Sequence, residues 1–442
     1  MIDTDQFQVR GRNAREIAAS IEAGVRDGVL LPGSRLPPVR QLANRLGVSP
    51  VTVSSAYGSL RGRGFVASDG RRGTSVSLGP PLPTRALAPV PPGVRNLADG
   101  NPDRSLLPRL RSALEAVSDT PGLYGEQAGL GALLDLARRR FLADGVPADA
   151  VTVVSGAHDG FERILGAHLR QGDRIAVEDP GHANLLDLVG ALGLTPEPVA
   201  VDDSGLIPDE LERALRAGAR AVFLTPRAQN PTGAALTEQR TQELRAVLQG
   251  APDTLVVEDD HSATVAGAPA LTLVDRRRER WAVVRAVSKT LGPDLRLAVV
   301  AGDATTVARV EGRRMLGAGW VSGILQMLVV ALWADPAVAD LVRTAARAYA
   351  ERRTALLEAL ADEGISARGR SGFNVWIPVT HERTPVRLLL DAGWAVSPGE
   401  RFRVASPPGL RVTAATLLPD DARRFARDLA RALQPSNGAY GA

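Results

Sequence analysis

The sequence predicts an α/β protein in two parts: a winged helix-turn-helix at the N-terminus and a larger domain built on a mostly parallel sheet. Three observations predict it. Residues 1–78 carry three helical patterns and then two short strand patterns. Residues 79–95 are dense in proline, as an extended, semi-rigid linker is. From residue 96 to 442, short apolar runs alternate with longer amphipathic segments. The length of 442 residues allows two to three domains and a large core. Hydrophobic residues at 44% and charged residues at 23% exclude a wholly disordered chain. Cysteine is absent, which removes disulfide scaffolds, thiolate metal sites and Cys nucleophiles. The opening Met1-Ile2-Asp3-Thr4-Asp5 is acidic and polar, so no signal peptide is expected. The longest apolar stretch, residues 321–333, is too short to span a bilayer and reads as a buried helix. No membrane partner and a cytoplasmic location are therefore expected.

The first predicted helix covers 12 to about 28 and puts Ile17, Ile21 and Val25 on one face, with Gly28 and Pro32-Gly33 ending it. A second starts near Pro38 and carries Leu42 and Leu46. After the turn Gly47-Val48-Ser49, Ser49 can cap a third helix whose first residue is Pro50. It carries Val51, Val53, Tyr57 and Leu60 and stops at Gly62. Strands near 65–67 and 74–77 flank a basic tip, Asp69-Gly70-Arg71-Arg72-Gly73. In such a unit the third helix is the candidate for a major groove and the tip for a groove edge or phosphates. Charge agrees. Residues 1–78 hold eleven Arg and six acids, a net of +5, against +4 for the whole chain. The excess positive charge thus belongs to this segment, where it can meet a polyanion.

The apolar runs of the larger domain are 151–154, 174–177, 221–224, 255–257, 283–287 and 297–301. They do not alternate, as expected for strands buried on both faces. Segments 160–169, 208–217 and 238–248 read as helices between them. Ligands of such sheets bind beyond the carboxyl ends of the strands, so the residues directly after each run matter most. They are Ser155-Gly156-Ala157-His158, Asp179-Pro180-Gly181-His182, Thr225 to Gly233, Glu258-Asp259-Asp260-His261, and Ser288-Lys289 with Arg296 seven residues on. Lys289 is the sole lysine among 53 basic residues. Arginine stays protonated and cannot form an imine at neutral pH, so a chain that writes Arg elsewhere still needs Lys for that purpose. The plainer reading is compositional drift with one survivor, but its place on the rim of the sheet argues against drift.

An imine-forming lysine, an acid and a phosphate site together suggest pyridoxal 5′-phosphate. Lys289 would hold its aldehyde as a Schiff base. Asp259 would pair with the protonated pyridine nitrogen. Asn230 could donate to the ring's phenolic oxygen, and Arg296 with the helix start at Gly156 would bind the phosphate. The plainer reading of Asp259 is a solvated loop acid.

At this point the chain resembles a known family. Residues 12–78 resemble a GntR winged helix, in the stretch Leu31-Pro-Gly-Ser-Arg-Leu-Pro-Pro-Val-Arg-Gln-Leu-Ala-Asn-Arg-Leu-Gly-Val-Ser-Pro-Val-Thr-Val. Asn230-Pro-Thr-Gly, Glu258-Asp-Asp, Ser288-Lys-Thr-Leu-Gly-Pro-Asp-Leu-Arg296 and Pro398-Gly-Glu-Arg-Phe resemble fold type I aminotransferases. The combination is identified as the MocR branch of GntR regulators. The resemblance implies a head-to-tail homodimer that binds double-stranded operator DNA and senses pyridoxal 5′-phosphate, with or without an amine or amino-acid effector. It also implies that Tyr124 reaches the cofactor phosphate across the dimer and that Arg411 grips an effector carboxylate. Gly156, Ala157, His158, His182, Asn230, Asp259, His261, Ser288, Lys289 and Arg296 then form the cofactor pocket. Arg40, Ser49, Thr52, Arg71 and Arg72 are the candidates for DNA.

The departures are specific. The family's usual Gln stands as His158, and its usual tyrosines stand as His182 and His261. Its usual hydroxyl residue three places before the lysine is Ala286, and Pro50 replaces a frequent Arg. His182 can still stack on a pyridine ring, but an imidazole titrates near neutrality where a phenol does not. Three readings of the site stay open: a tuned sensor, a pocket drifted toward another ligand, even a metal, or plain satisfied polar packing. An active aminotransferase with a DNA-binding appendage remains the alternative function.

Overall fold

The computed structural model describes residues 7–62, 64–68, 73–77, 89–118, 120, 122–125 and 129–434. The chain divides into two compact units, one of residues 1–88 grouped with 170–172 and 187–195, the other of 89–169, 173–186 and 196–442.

The first unit opens with α1 (Ala14–Arg26), which starts where Asn13 accepts a hydrogen bond from the Glu16 amide at 2.9 Å. The Glu16 side chain in turn accepts from the Arg12 amide at 2.8 Å, so two orphan donors are satisfied at once. The cap explains why the helix starts two residues later than its apolar pattern suggests. α2 (Val39–Leu46) ends at Gly47, whose φ of +66° closes the helix in the left-handed region. α3 (Pro50–Gly62) begins on Ser49, whose Oγ accepts from the Thr52 amide at 3.1 Å. β1 (Val66–Ser68) and β2 (Thr74–Val76) pair antiparallel. Ile17, Ile21, Leu42, Val53, Tyr57 and Leu60 fill the core. Tyr57 is therefore a core residue, with its hydroxyl donating to the Pro37 carbonyl at 2.7 Å. The tip residues 69–72, including Arg71 and Arg72, residue 78, and residues 79–88 of the proline-rich segment lie outside the described residues.

The second unit begins with β3 (Arg95–Asn96), α4 (Arg111–Glu115) and α5 (Gly131–Ala143). Next come β4 (Ala150–Val154), α6 (Ala157–His168), β5 (Arg174–Asp179), α7 (Ala183–Ala191), β6 (Thr195–Asp202), β7 (Gly205–Leu206), α8 (Pro208–Arg216), β8 (Ala219–Leu224), α9 (Glu238–Gln249), β9 (Leu255–Asp259), β10 (Trp281–Ala286) and β11 (Ala298–Gly302). They build one eight-stranded sheet in the order β4-β11-β10-β9-β8-β5-β6-β7. The adjacent strands β10, β9, β8 and β5 run parallel, while β11 is antiparallel to both of its neighbours. All six apolar runs read from the sequence are strands of this sheet. α6 starts three residues before its predicted position because Asp159 folds back to accept from the Ser155 amide at 2.9 Å.

The chain continues through α10 (Ala304–Met315), α11 (Gly323–Ala334) and α12 (Pro336–Asp362). The apolar stretch near 321–333 is α11, with Leu328, Val329 and Leu332 buried. Among the described residues no single helix is long and apolar enough to cross a membrane. A smaller layer closes the unit: β12 (Asn374–Pro378), α13 (Arg383–Asp391), β13 (Trp394–Ala395), β14 (Ser397–Pro398), β15 (Gly409–Thr413) and α14 (Pro419–Leu433). Its sheet runs β12-β15-β14, and β13 pairs with β3.

Candidate functional site

The loops after β4, β5, β8, β9 and β10 converge at one end of the large sheet, and Lys289 lies three residues past β10. Its Nζ donates to the Gly100 carbonyl at 2.7 Å and lies 5.8 Å from the centre of the Phe373 ring. Burial, helped by Arg411, pushes the ammonium down to about 8, against the opposing pull of Asp99 and Asp259. A lowered pKa puts more of the amine in its neutral, nucleophilic form near neutral pH.

Gly156 caps α6 with φ +92°, and the Arg296 guanidinium packs against it. A Cβ on Gly156 would stand 2.9 Å from Arg296 Nη2. The positive φ favours glycine here, and the Arg296 guanidinium beside the start of α6 makes the pair a candidate anion cradle. Ala157 is the first helical residue, Ser288 is half-buried beside the lysine, and Ala286 is buried and presents a methyl where a hydroxyl is usual.

Asp259 ends β9, 2% exposed. Its Oδ2 accepts from His261 Nδ1 at 3.2 Å, and its Oδ1 is buried with no partner. His158 and His182 meet edge to face with ring centres 5.1 Å apart, and His158 Nε2 and His182 Nδ1 also lack partners. Burial lowers the pKa of both rings, His182 well below its ordinary value with His158 and His261 pushing the same way. Both are therefore neutral near pH 7. Leaving a buried polar atom unpaired is costly, and Asp259 Oδ1, His158 Nε2 and His182 Nδ1 together leave hydrogen-bonding capacity that a ligand could take up. Among the described residues no group of three His, Asp or Glu is arranged to hold a metal ion.

Arg411 lies in the middle of β15 and is 5% exposed, so it is not a surface arginine. Nη1 donates to Asn230 Oδ1 at 3.2 Å, Nη2 donates to the Ala98 carbonyl, and the guanidinium stacks 4.8 Å from the Phe402 ring centre. Burial pushes its pKa down to about 10, so it keeps its charge. Asn230 therefore spends its oxygen on Arg411, and only its amide nitrogen is a donor for a ring. Tyr124 is not brought into the site by its own chain: it is 91% exposed and packs edge-on against Trp320 at 5.4 Å.

Sequence reasoning missed the frame behind the site. Asp260 accepts from Arg227 and Arg285 at 2.7–2.8 Å, with Asp144 on their far side. The signal was available: an acid next to Asp259 on a strand must point to the opposite face. In the first unit Arg40 is exposed on α2. The Ser49 and Thr52 hydroxyls lie 2.8 Å apart and share the cap of α3. The exposed face of α3 shows Val51, 76% exposed, with Ser54 and Ser55. Inward spacing of Val53, Ala56, Tyr57 and Leu60 could have found that face.

Residues 92–429 match the family described as Aminotransferase class I and II, and residues 13–76 match Bacterial regulatory proteins, gntR family. The Vitamin B6 salvage pathway transcriptional repressor PtsJ of Salmonella typhimurium is 40% identical over 429 residues, covering 96% of this chain and 99% of that protein. The chain belongs to the MocR branch of the GntR regulators. The HTH-type pyridoxine biosynthesis transcriptional regulator PdxR of Corynebacterium glutamicum is 29% identical and covers 78% of each chain. The fold of the larger unit is that of LysN, an α-aminoadipate aminotransferase from Thermus thermophilus, with TM-score 0.70, 23% identity, and 77% of this chain and 92% of that one covered. Like other MocR-type chains, this one is a transcription regulator that binds DNA through its GntR head. The cofactor of the MocR aminotransferase domain is pyridoxal 5′-phosphate, and the residues present fit it. Gly156 and Arg296 would take the phosphate, the unpaired Asp259 Oδ1 would suit a pyridinium N–H, and Lys289 would supply the amine.

Proposed function

We propose that the chain is a cytoplasmic, homodimeric regulator whose sheet domain senses pyridoxal 5′-phosphate, alone or with an amine or amino-acid effector, and adjusts operator binding accordingly. The observation that carries this reading is the convergence of the chain's one lysine, a glycine–arginine anion cradle and a buried half-paired aspartate at the end of one sheet. When bound, the cofactor supplies an electrophilic aldehyde and an electron-withdrawing pyridinium. The protein's own part is to hold Lys289 partly neutral, to keep water away from it, and to offer Arg411 to a carboxylate.

The route to the DNA heads runs along the chain. In the present geometry Lys289 and Arg411 both donate to one short segment, at Gly100 and Ala98. A ligand that engages either side chain takes a donor from that segment, which continues through β3 toward the proline-rich linker at 79–95 and the head at 1–78. The head-to-tail dimer is supported by exposed Leu123, Tyr124, Met315, Leu316, Trp320 and Ile324, an apolar surface that a second copy would cover. It would also bring Tyr124 to the partner's phosphate cradle.

Two measurements test the reading together. Purified protein should gain a visible absorption band with pyridoxal 5′-phosphate, and borohydride should fix the adduct's mass on the peptide containing Lys289. Binding to operator DNA should change with the vitamer in the wild type and not in Lys289→Ala. A Lys289→Ala protein that still responds normally refutes the sensor. Retention of Asn230 bonded to Arg411, with Arg411 and Asp259 both near Lys289, favours a second reading, an active aminotransferase. Release of a keto acid at enzyme-like rates from candidate amino acids would establish it.

A further inference from the structure

His158, His182 and His261 cluster with Asp259, but of the three rings only His261 hydrogen-bonds the carboxylate. An ionised carboxylate can only accept, so Nδ1 carries the proton in this 3.2 Å contact. The tether is short: His261 lies two residues past Asp259, immediately after β9, and its side chain is 15% exposed. One oxygen held in this way fixes the plane of the carboxylate. The other, Oδ1, is buried and has no partner. His158 Nε2 and His182 Nδ1 are likewise buried and unpaired, in rings 5.1 Å apart, and burial lowers the pKa of both.

We infer that His261 is a positioning residue: its Nδ1–H holds Asp259 so that the free oxygen meets the pyridine nitrogen of the cofactor. This rests on the pyridoxal 5′-phosphate reading of the site. The atom that does the work is specific. Nδ1 is bonded directly to Cγ, close enough to the backbone to reach back to residue 259, whereas a phenol would carry its hydroxyl past the carboxylate.

Two substitutions separate this from a merely structural role. His261→Asn keeps an N–H donor on Cγ, where Nδ1 was. His261→Gln moves the donor one bond further out, to the reach of Nε2. With full-length protein and pyridoxal 5′-phosphate as the probe, the equilibrium affinity, the visible absorption maximum of the complex and the unfolding midpoint are measured. His261→Gln should bind about tenfold more weakly, as expected for losing one hydrogen bond to a charged group, with a displaced absorption maximum and an unchanged midpoint. His261→Asn should stay within about threefold of wild type and keep the maximum. Equal loss in both variants, or loss in neither, overturns the inference while leaving the site's ligand intact. A wild-type protein that takes up no vitamer overturns the reading of the site and the role of His261 with it.

Discussion

Glu258, Asp259 and Asp260 are consecutive acids at the end of β9, and their surroundings differ completely. Asp260 faces two buried arginines and is saturated with charge-assisted hydrogen bonds. Burial alone would raise its pKa, but Arg227 and Arg285 override burial and hold it below the usual carboxylate range. Glu258 points to the same face, accepts from the Leu273 amide and the Thr272 hydroxyl, and has no arginine bonded to it. Burial pushes it up to about 7. Asp259 faces the other way, with one oxygen on His261 and one on nothing. Fully paired polar groups build the frame, and a half-paired one marks where a ligand completes the structure.

The contrast breaks most visibly at Asp260. Asp260→Asn should leave two buried guanidiniums short of counter-charge, at a cost of about 3–5 kcal/mol. The expected result is a lower denaturation midpoint for the sheet domain. An Asp260→Asn protein as stable as wild type would mean that Asp144 alone suffices for both arginines, and the frame would lose its centre.

Asp259→Asn should do the reverse. Its midpoint should hold or rise, because a buried, incompletely paired charge is removed. Affinity for pyridoxal 5′-phosphate should fall about tenfold to a hundredfold, since a charge-assisted bond to the pyridine nitrogen is lost. Equal destabilisation by Asp259→Asn and Asp260→Asn would erase the distinction between frame and site. The amine on the same rim gives a third, smaller effect. A basic group lowered from 10.5 to about 8 is half neutral near pH 8. The rate at which the visible band appears should therefore drop about fivefold between about pH 8 and pH 7. A rate still climbing tenfold per unit above about pH 9 would place Lys289 in a solvated environment.

The sheet was legible because its strands are buried on both faces, which writes unbroken apolar runs such as 283–287 into the chain. The candidate site was legible for a related reason: whatever follows such a run lies at the carboxyl end of the sheet, so Lys289, Asp259 and Gly156 could be placed there before any geometry. What was not legible is direction and pairing. No spacing rule says that His261 reaches back to Asp259 or that Asn230 gives its oxygen to Arg411, because those contacts cross between loops whose angles the sheet decides. The same holds for Val51. It reads as one more apolar helix residue, yet it stands on the outer face of α3 because Val53, Ala56, Tyr57 and Leu60 claim the inner one.

Glu258 offers the mildest test. Its folded pKa of about 7 lies above the unfolded value of 4.5. Between those values the unfolded chain gives up its proton first, so the unfolded state is favoured as pH rises. The stabilising contribution is complete below about pH 4.5 and gone once pH has passed about 7. Glu258→Gln removes that titration while keeping an oxygen for the Leu273 amide, and the Thr272 hydroxyl can turn to accept from the new amide. The loss of unfolding midpoint from about pH 5 to pH 8 should therefore shrink in the variant. It should not vanish, because Glu178 is also buried and pushed up to about 8. An unchanged slope would mean that water or a cation reaches Glu258, and that it belongs with the charged frame of Asp260 after all.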